Sequence, residues 1–334
     1  MSWSRPRVIG AAATAVLVAT TLAACGSDAG KSAGSSAGTA SAGFPVTLKN
    51  TFGETTITKK PERIVTVGWN DQDFVLSLGE VPVSTREWFA GYPAYPWVAS
   101  KLGGKKLPTF SAEINYEAIL KQQPDLILAI YETINKETYE KLSQIAPTVI
   151  QSSAYKDEQT PWDVQTLTTG KALGKTIEAQ ALVEQVTAKI DQVKKANPRF
   201  AGKVLVEDYG PEKGQHWLIP AKDPRRALFD ALGFTAQAES EDVSEERLDL
   251  LDRDVLFVNG ATRADMLKSP VFGRLKVVRE DRTIYTSFET PLAGALSYSG
   301  PDALLYALDV LAPQLKAATD GDPATKVADL SDQA

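Results

Sequence analysis

The stretch Thr160 to Pro198 constrains the fold more than any other. Thr160 suits a helix N-cap, Pro161 the first helical position and Asp163 the first turn. Leu167, Leu173, Ile177, Ala181, Val186, Ile190 and Val193 then recur near the helical period. Pro198 stops the pattern. Read as one helix, the stretch spans roughly 55 Å, longer than a small domain is wide. Gly170 and Gly174 each weaken it by about 1 kcal/mol relative to alanine, so a kink or a break there stays open. On both sides the chain alternates strands and helices. The expectation is an α/β protein of two lobes with mainly parallel sheets, residues 44–159 and 199–318, joined by a linking helix at 160–198. A ligand cleft between the lobes follows from that arrangement. One large domain with this helix as a layer is the alternative.

The chain begins with a different kind of segment. Residues 1–24 carry Arg5 and Arg7, then a mostly apolar run to Ala24 with no acidic residue. That is the pattern of a secretory signal peptide, too short and too often interrupted by threonine for a membrane span. It ends Leu22-Ala-Ala-Cys25, which resembles a bacterial lipobox, and this implies that Cys25 becomes the lipidated first residue. Two lipid signals on one residue suffice for stable anchoring. Cys25 is the only cysteine, so an intrachain disulfide is excluded. Residues 26–43 are almost entirely Gly, Ser, Ala and Thr and cannot bury a core, so 25–43 reads as a flexible tether. Losing residues 1–24 takes Arg5 and Arg7 away and moves the formal charge from −6 to −8. That balance disfavours nucleic acid and offers no basic face to anionic lipid. Residues 319–334 are mostly Ala, Asp and Thr and read as a frayed tail.

Enzyme chemistry finds little support. One histidine, His216, would have to serve any Ser–His–Asp triad, and at a strand start it reads as a solvated or hydrogen-bonded side chain. No G-x-S-x-G lies between a predicted strand and a predicted helix, and no G-x-G-x-x-G or Walker A occurs. Ser153-Ala-Tyr-Lys156 matches S-x-x-K of penicillin-interacting enzymes, without the K-T-G or S-D-N that accompany it there. A lipid-anchored serine hydrolase is therefore the distant alternative. A bare zinc or manganese site needs imidazole or thiolate ligands, and one histidine and one lipidated cysteine do not supply them.

What stands out is aromatic material at strand ends, where α/β sheets bind ligands. Trp69 follows the strand at 63–68. Arg86 and the run Trp88, Tyr92, Trp97 follow a strand expected at 81–84. Tyr131 follows the strand at 125–130, and Tyr209 the one at 203–208. Arg263 follows the strand at 254–258, and Phe288 the one at 283–286. Aromatic walls with a few cations suit a bulky organic ligand. Arginine would hold carboxylate or iron-bound oxygens of such a ligand.

Seven short runs carry a resemblance. They are Pro61-Glu-Arg-Ile-Val, Asn115-Tyr-Glu-Ala-Ile-Leu, Gln123-Pro-Asp-Leu-Ile, Leu142-Ser-Gln-Ile-Ala-Pro-Thr-Val, Ala172-Leu-Gly-Lys, Val243-Ser-Glu-Glu-Arg-Leu and Asp254-Val-Leu-Phe-Val. In combination they resemble the substrate-binding lipoproteins of bacterial ABC importers, in the class with two Rossmann-like lobes and a single helical spine. Within that class the chain is similar to iron–siderophore binders. The resemblance implies capture of a ferric siderophore and delivery to an ABC-transporter permease from the outer face of the membrane. It implies a monomer with no direct metal ligand and no cofactor beyond the chelated iron. Cobalamin or haem is the alternative cargo, with Tyr131 and Tyr209 as candidate haem ligands. In the family one glutamate on each lobe meets permease arginines, and the matching positions here are Glu117 and Glu246.

Overall fold

Two parallel sheets, one per lobe, carry the molecule. The computed structural model describes residues 43–238, 242–288, 290–322 and 324–331. The signal segment, Cys25 and nearly all of the tether lie outside the described residues. In chain order the elements are β1 (Val46–Asn50), β2 (Gly53–Ile57), β3 (Ile64–Thr66), α1 (Asp71–Ser77), β4 (Ser84–Arg86), α2 (Pro96–Leu102), β5 (Thr109–Phe110), α3 (Tyr116–Lys121), β6 (Leu126–Ala129), α4 (Lys136–Ile145) and β7 (Thr148–Ile150). Then come α5 (Trp162–Leu173), α6 (Thr176–Ala196), β8 (Leu205–Asp208), β9 (Gln215–Trp217), α7 (Ala227–Leu232), β10 (Asp242–Ser244), β11 (Val255–Asn259), α8 (Arg263–Met266), α9 (Lys276–Arg279), β12 (Thr283–Thr286), α10 (Pro291–Tyr298) and α11 (Pro301–Thr319).

The first lobe holds a five-stranded sheet ordered β5-β4-β3-β6-β7, every pair parallel. The second holds a three-stranded parallel sheet ordered β12-β11-β8. The strands β6, β8, β11 and β12 are buried along their whole length, as strands of a sheet covered on both faces must be, and β8 buries Glu207 and Asp208 at its end. The strands β1 and β2 form an antiparallel hairpin at the start, and β9–β10 forms a second antiparallel pair.

The linking segment is two helices rather than one. Gly174, at φ +70°, takes the left-handed conformation, and Lys175 N–H reaches back to Gly170 O at 2.7 Å, closing α5 in the manner of a Schellman turn. A side chain at Gly170 would place its Cβ 2.3 Å from Ala179 Cβ, so this glycine lets α5 and α6 lie against each other. The residues that weaken a long helix are thus the ones that fold it back. Only α6 makes the crossing, and at about 1.5 Å per residue it is roughly 30 Å long. Ala179 and Leu182 near its start pack into the first lobe, whereas Val186, Ile190 and Val193 pack with second-lobe residues.

The lobe junction is solid. One apolar cluster joins Leu76, Tyr95, Trp97 and Val98 of the first lobe to Leu292, Leu296, Leu304 and Leu308 of the second. Inside it lies Asp73, 1% exposed, which accepts from Tyr92 Oη and Trp97 Nε1 at 2.8 Å each and from Gly300 N–H at 3.0 Å. The helices α2 and α10, which build this junction, carry no signal strong enough to be expected from sequence. The expected tail also differs. Val327 and Leu330 are buried in the junction cluster, and Leu330 N–H bonds Tyr285 O at 3.1 Å, so apolar residues spaced among the alanines hold residues 324–331 down.

Candidate functional site

The carboxyl ends of the strands bring aromatic rings from both lobes to one place. Trp69 follows β3, and its N–H bonds Tyr131 O just beyond β6 at 3.0 Å, which fixes the two loops together. Trp88 follows β4 and lies 5.8 Å from Trp69, ring centre to ring centre. From the second lobe, Tyr209 follows β8, Trp217 ends β9 and Phe288 follows β12. Tyr209 is 5.7 Å from Trp217 and 5.9 Å from Phe288. Gly260, at φ +104°, allows the last contact to form, because a Cβ there would sit 2.4 Å from the Phe288 ring.

A cavity of about 360 Å³ at the lobe junction is walled by Trp69, Trp88 and Tyr131 on one side and by Trp217, Asp223 and Arg225 on the other, with residues 157–159 at its edge. A second, of about 590 Å³, shares Trp217 and is lined by Tyr209, Glu212, His216, Asp242 and Phe288. Trp88, Trp217 and Phe288 keep 37%, 36% and 45% of their surface exposed, far more than a core position allows. Large aromatic rings left open around a concave junction mark a ligand surface.

The charges here are held by partners. The Arg225 guanidinium bonds Asp223 through Nε (2.8 Å) and Nη2 (2.6 Å), and its plane lies 4.5 Å from the Trp217 ring. Burial works against its charge, but Asp223 outweighs burial and keeps it protonated. Arg86 pairs with Glu132 in a buried contact and lies 3.4 Å over the Trp69 ring. Burial pushes the Tyr131 hydroxyl up to about 12 and the Tyr209 hydroxyl higher still, so both stay protonated. His216 Nδ1 is 2.8 Å from Asp208 Oδ2, with both side chains buried, which agrees with a hydrogen-bonded histidine.

With the geometry established, the likeness to known proteins is informative. The family model for a periplasmic binding protein matches residues 64–290. This chain belongs to that family. The binding protein is 29% identical over 254 residues to the Fe(3+)-citrate-binding protein YfmC of Bacillus subtilis, covering 71% of this chain and 78% of that one. It is 31% identical to a periplasmic solute binding protein from Mycobacterium smegmatis of known structure, with a TM-score of 0.75 over 81% of this chain and 97% of the other. It is 27% identical to PiaA of Streptococcus pneumoniae in complex with ferrichrome, with a TM-score of 0.70 over 82% and 98%.

Of the side chains expected at the site of this binding protein, the fold collects Trp69, Trp88, Tyr131, Tyr209 and Phe288 around the two cavities. Tyr92 and Trp97 are elsewhere. A turn at Tyr92–Ala94 and then α2 carry them into the junction core, 3% and 7% exposed, where both bond Asp73. Arg86 belongs to β4, which starts three residues later than expected, and it points into its pair with Glu132. Arg263 opens α8 and faces Asp281 at 4.0 Å, away from both cavities. Sequence reasoning missed Trp217 and Arg225. The signal for Arg225 was local, since Asp223-Pro-Arg is a capped turn in which the Asp223 carboxylate accepts from Arg225 N–H at 2.9 Å.

Proposed function

We propose that this chain is an extracytoplasmic substrate-binding lipoprotein that captures a ferric siderophore and delivers it to an ABC-transporter permease. The observation that carries the reading is the junction cavity walled by open aromatic rings from both lobes. A chelator already fills the coordination sphere of its iron, so the protein needs shape and ring contact rather than ligating side chains. Among the described residues no group of three or more His, Cys, Asp or Glu could hold a metal ion. Haem is the alternative cargo, with Tyr131 and Tyr209 as its candidate ligands. A penicillin-interacting hydrolase is the distant alternative. Ser153 and Lys156 lie exposed in an irregular turn, not on one face of a helix. The protein would act as a monomer, and no helix among the described residues is long and apolar enough to cross a membrane. Anchorage would come from Cys25. A Cys25→Ser variant should move from the membrane fraction to the soluble fraction, and its retention in membranes would refute the anchor.

The test of the cleft is Trp88→Ala combined with Trp217→Ala, one ring from each lobe. Each aromatic contact is worth roughly 0.5–1.5 kcal/mol beyond its buried area, so the pair should raise Kd for a ferric chelate at least ten-fold by calorimetry. An unchanged Kd would refute the aromatic walls. Trp97→Ala would not serve, because that ring supports the core.

A further inference from the structure

We infer that the cleft selects ferric chelates of zero or positive net charge and disfavours anionic ones, an inference that rests on the ferric-chelate reading. Charge complementarity between a site and its ligand decides which partners are rejected, and an unpaired like charge against a ligand is the usual means of rejection. Of the two cavities that share Trp217, only one is lined by an arginine, Arg225, and its charge is already paired. Arg225 gives Nε and Nη2 to Asp223, so its charge is balanced before any ligand arrives. Arg86 is spent on Glu132 and lies against the Trp69 ring. Arg263 faces Asp281, outside both cavities.

The acids are differently placed. Asp157 and Glu158 line the junction cavity, and Asp242 lines the adjoining one. Glu212 also lines the second, with the exposed Lys213 ammonium 3.9 Å away. None of Asp157, Glu158 and Asp242 is in a salt bridge among the described residues, and Glu158 acts on the Arg86 guanidinium only from further off. Asp157 is held by the Gln151 amide. Glu158 is fixed at φ +56°, a left-handed conformation that non-glycine residues rarely take, and its Oε1 accepts from Thr133 Oγ1 at 3.2 Å. A carboxylate kept in a disfavoured backbone conformation at the mouth of a cavity is a placed charge.

The chemistry of ferric chelates sorts them by this field. Three singly charged hydroxamates cancel the ferric charge, and a pendant ammonium group then makes the complex a cation. Three doubly charged catecholates leave a trianion, and citrate complexes are anionic as well. An anion entering this cleft would lose its hydration and meet carboxylates that outnumber the lining arginine, whose charge Asp223 already balances.

The experiment is calorimetric titration of the purified protein with four probes. They are ferrichrome, the ferric complex of a linear trihydroxamate bearing one ammonium group, ferric citrate and a ferric tricatecholate. The two hydroxamate complexes should bind at least ten-fold tighter than the two anions, and added sodium chloride should narrow the gap. Asp157→Asn with Glu158→Gln should narrow it at least three-fold by improving the anions. That variant separates charge from shape, because it leaves the aromatic walls in place. Equal or tighter binding of the anions, or a gap indifferent to both salt and the double substitution, would overturn the inference and leave the ferric-chelate reading standing. Binding of none of the four by folded protein would overturn that reading, and the inference with it.

Discussion

Replacing Asp73 with alanine should lower the unfolding free energy by about 3–5 kcal/mol, because three buried donors lose their acceptor at once. Tyr92 Oη, Trp97 Nε1 and Gly300 N–H all end on this carboxylate, and they come from both lobes. Each unsatisfied donor costs about 1–3 kcal/mol, partly recovered if water enters the space left behind. The measurement is the urea midpoint with the slope unchanged. A loss below about 1 kcal/mol would show that the apolar cluster alone holds the junction.

The same group gives the junction a pH dependence whose sign can be worked out. Burial pushes Asp73 up to about 6 against its hydrogen bonds, and does the same to Asp71. Unfolded aspartate titrates near 3.9. Between these values the folded chain holds more protons than the unfolded chain, so stability rises as pH falls through the window. The contribution is complete below about pH 4 and is lost as pH rises through about 6. Glu207, pushed up to about 8 by burial, extends the window upward with the same sign. Asp254, held below its usual value by backbone and lysine bonds that outweigh its partial burial, acts in the opposite sense at lower pH. The urea midpoint should therefore be higher at pH 5 than at pH 7.5, and Asp73→Asn should shrink the difference. A midpoint that falls from pH 7.5 to pH 5 would contradict the assignment.

The second large effect concerns delivery. Glu117→Ala together with Glu246→Ala should leave chelate affinity within about two-fold while uptake through the cognate permease falls at least ten-fold, the ratio expected when only a docking contact of a few kcal/mol is lost. Both carboxylates are exposed, and neither lines the two ligand cavities. Glu117 stands in the first turn of α3, behind an Asn115 cap whose side chain accepts from Ala118 N–H at 2.9 Å. Glu246 stands in a 3₁₀ turn, and its neighbour Glu245 is taken up by Ser269 Oγ at 2.6 Å. The two lobes repeat one design here. Eight residues after Glu117, Asp125 accepts from Arg63 N–H at 2.8 Å ahead of β3. Eight residues after Glu246, Asp254 accepts from Val204 N–H at 2.9 Å ahead of β8. Each glutamate thus sits at a set distance from an aspartate that ties a neighbouring strand. The readout is accumulation of radioactive iron in cells carrying only the variant, beside calorimetry on the purified protein. Full uptake, or lost chelate binding with normal folding, would each refute the docking role.

Much of this molecule is local chemistry and could be read along the chain. Apolar strand runs and the glycine that ends α7 depend on residues a few positions apart. So does the placing of Trp69, Trp88, Tyr131, Tyr209 and Phe288 just beyond strand ends, since a strand delivers its next residues to one edge of the sheet. What depended on distant residues was decided only by the tertiary structure. Gly174 could have been a bend within one helix, and Gly170 turned it into a fold-back because Ala179 needed the space. Trp88, Tyr92 and Trp97 belong to one aromatic run, yet Asp73 draws the last two into the core and leaves the first open. Arg86, Arg225 and Arg263 look alike in sequence, and each is claimed by an acid, Glu132, Asp223 or Asp281. Two of those acids are close to their arginine only in space. Burial and charge pairing depend on through-space distance, and for groups far apart in the chain the fold sets that distance.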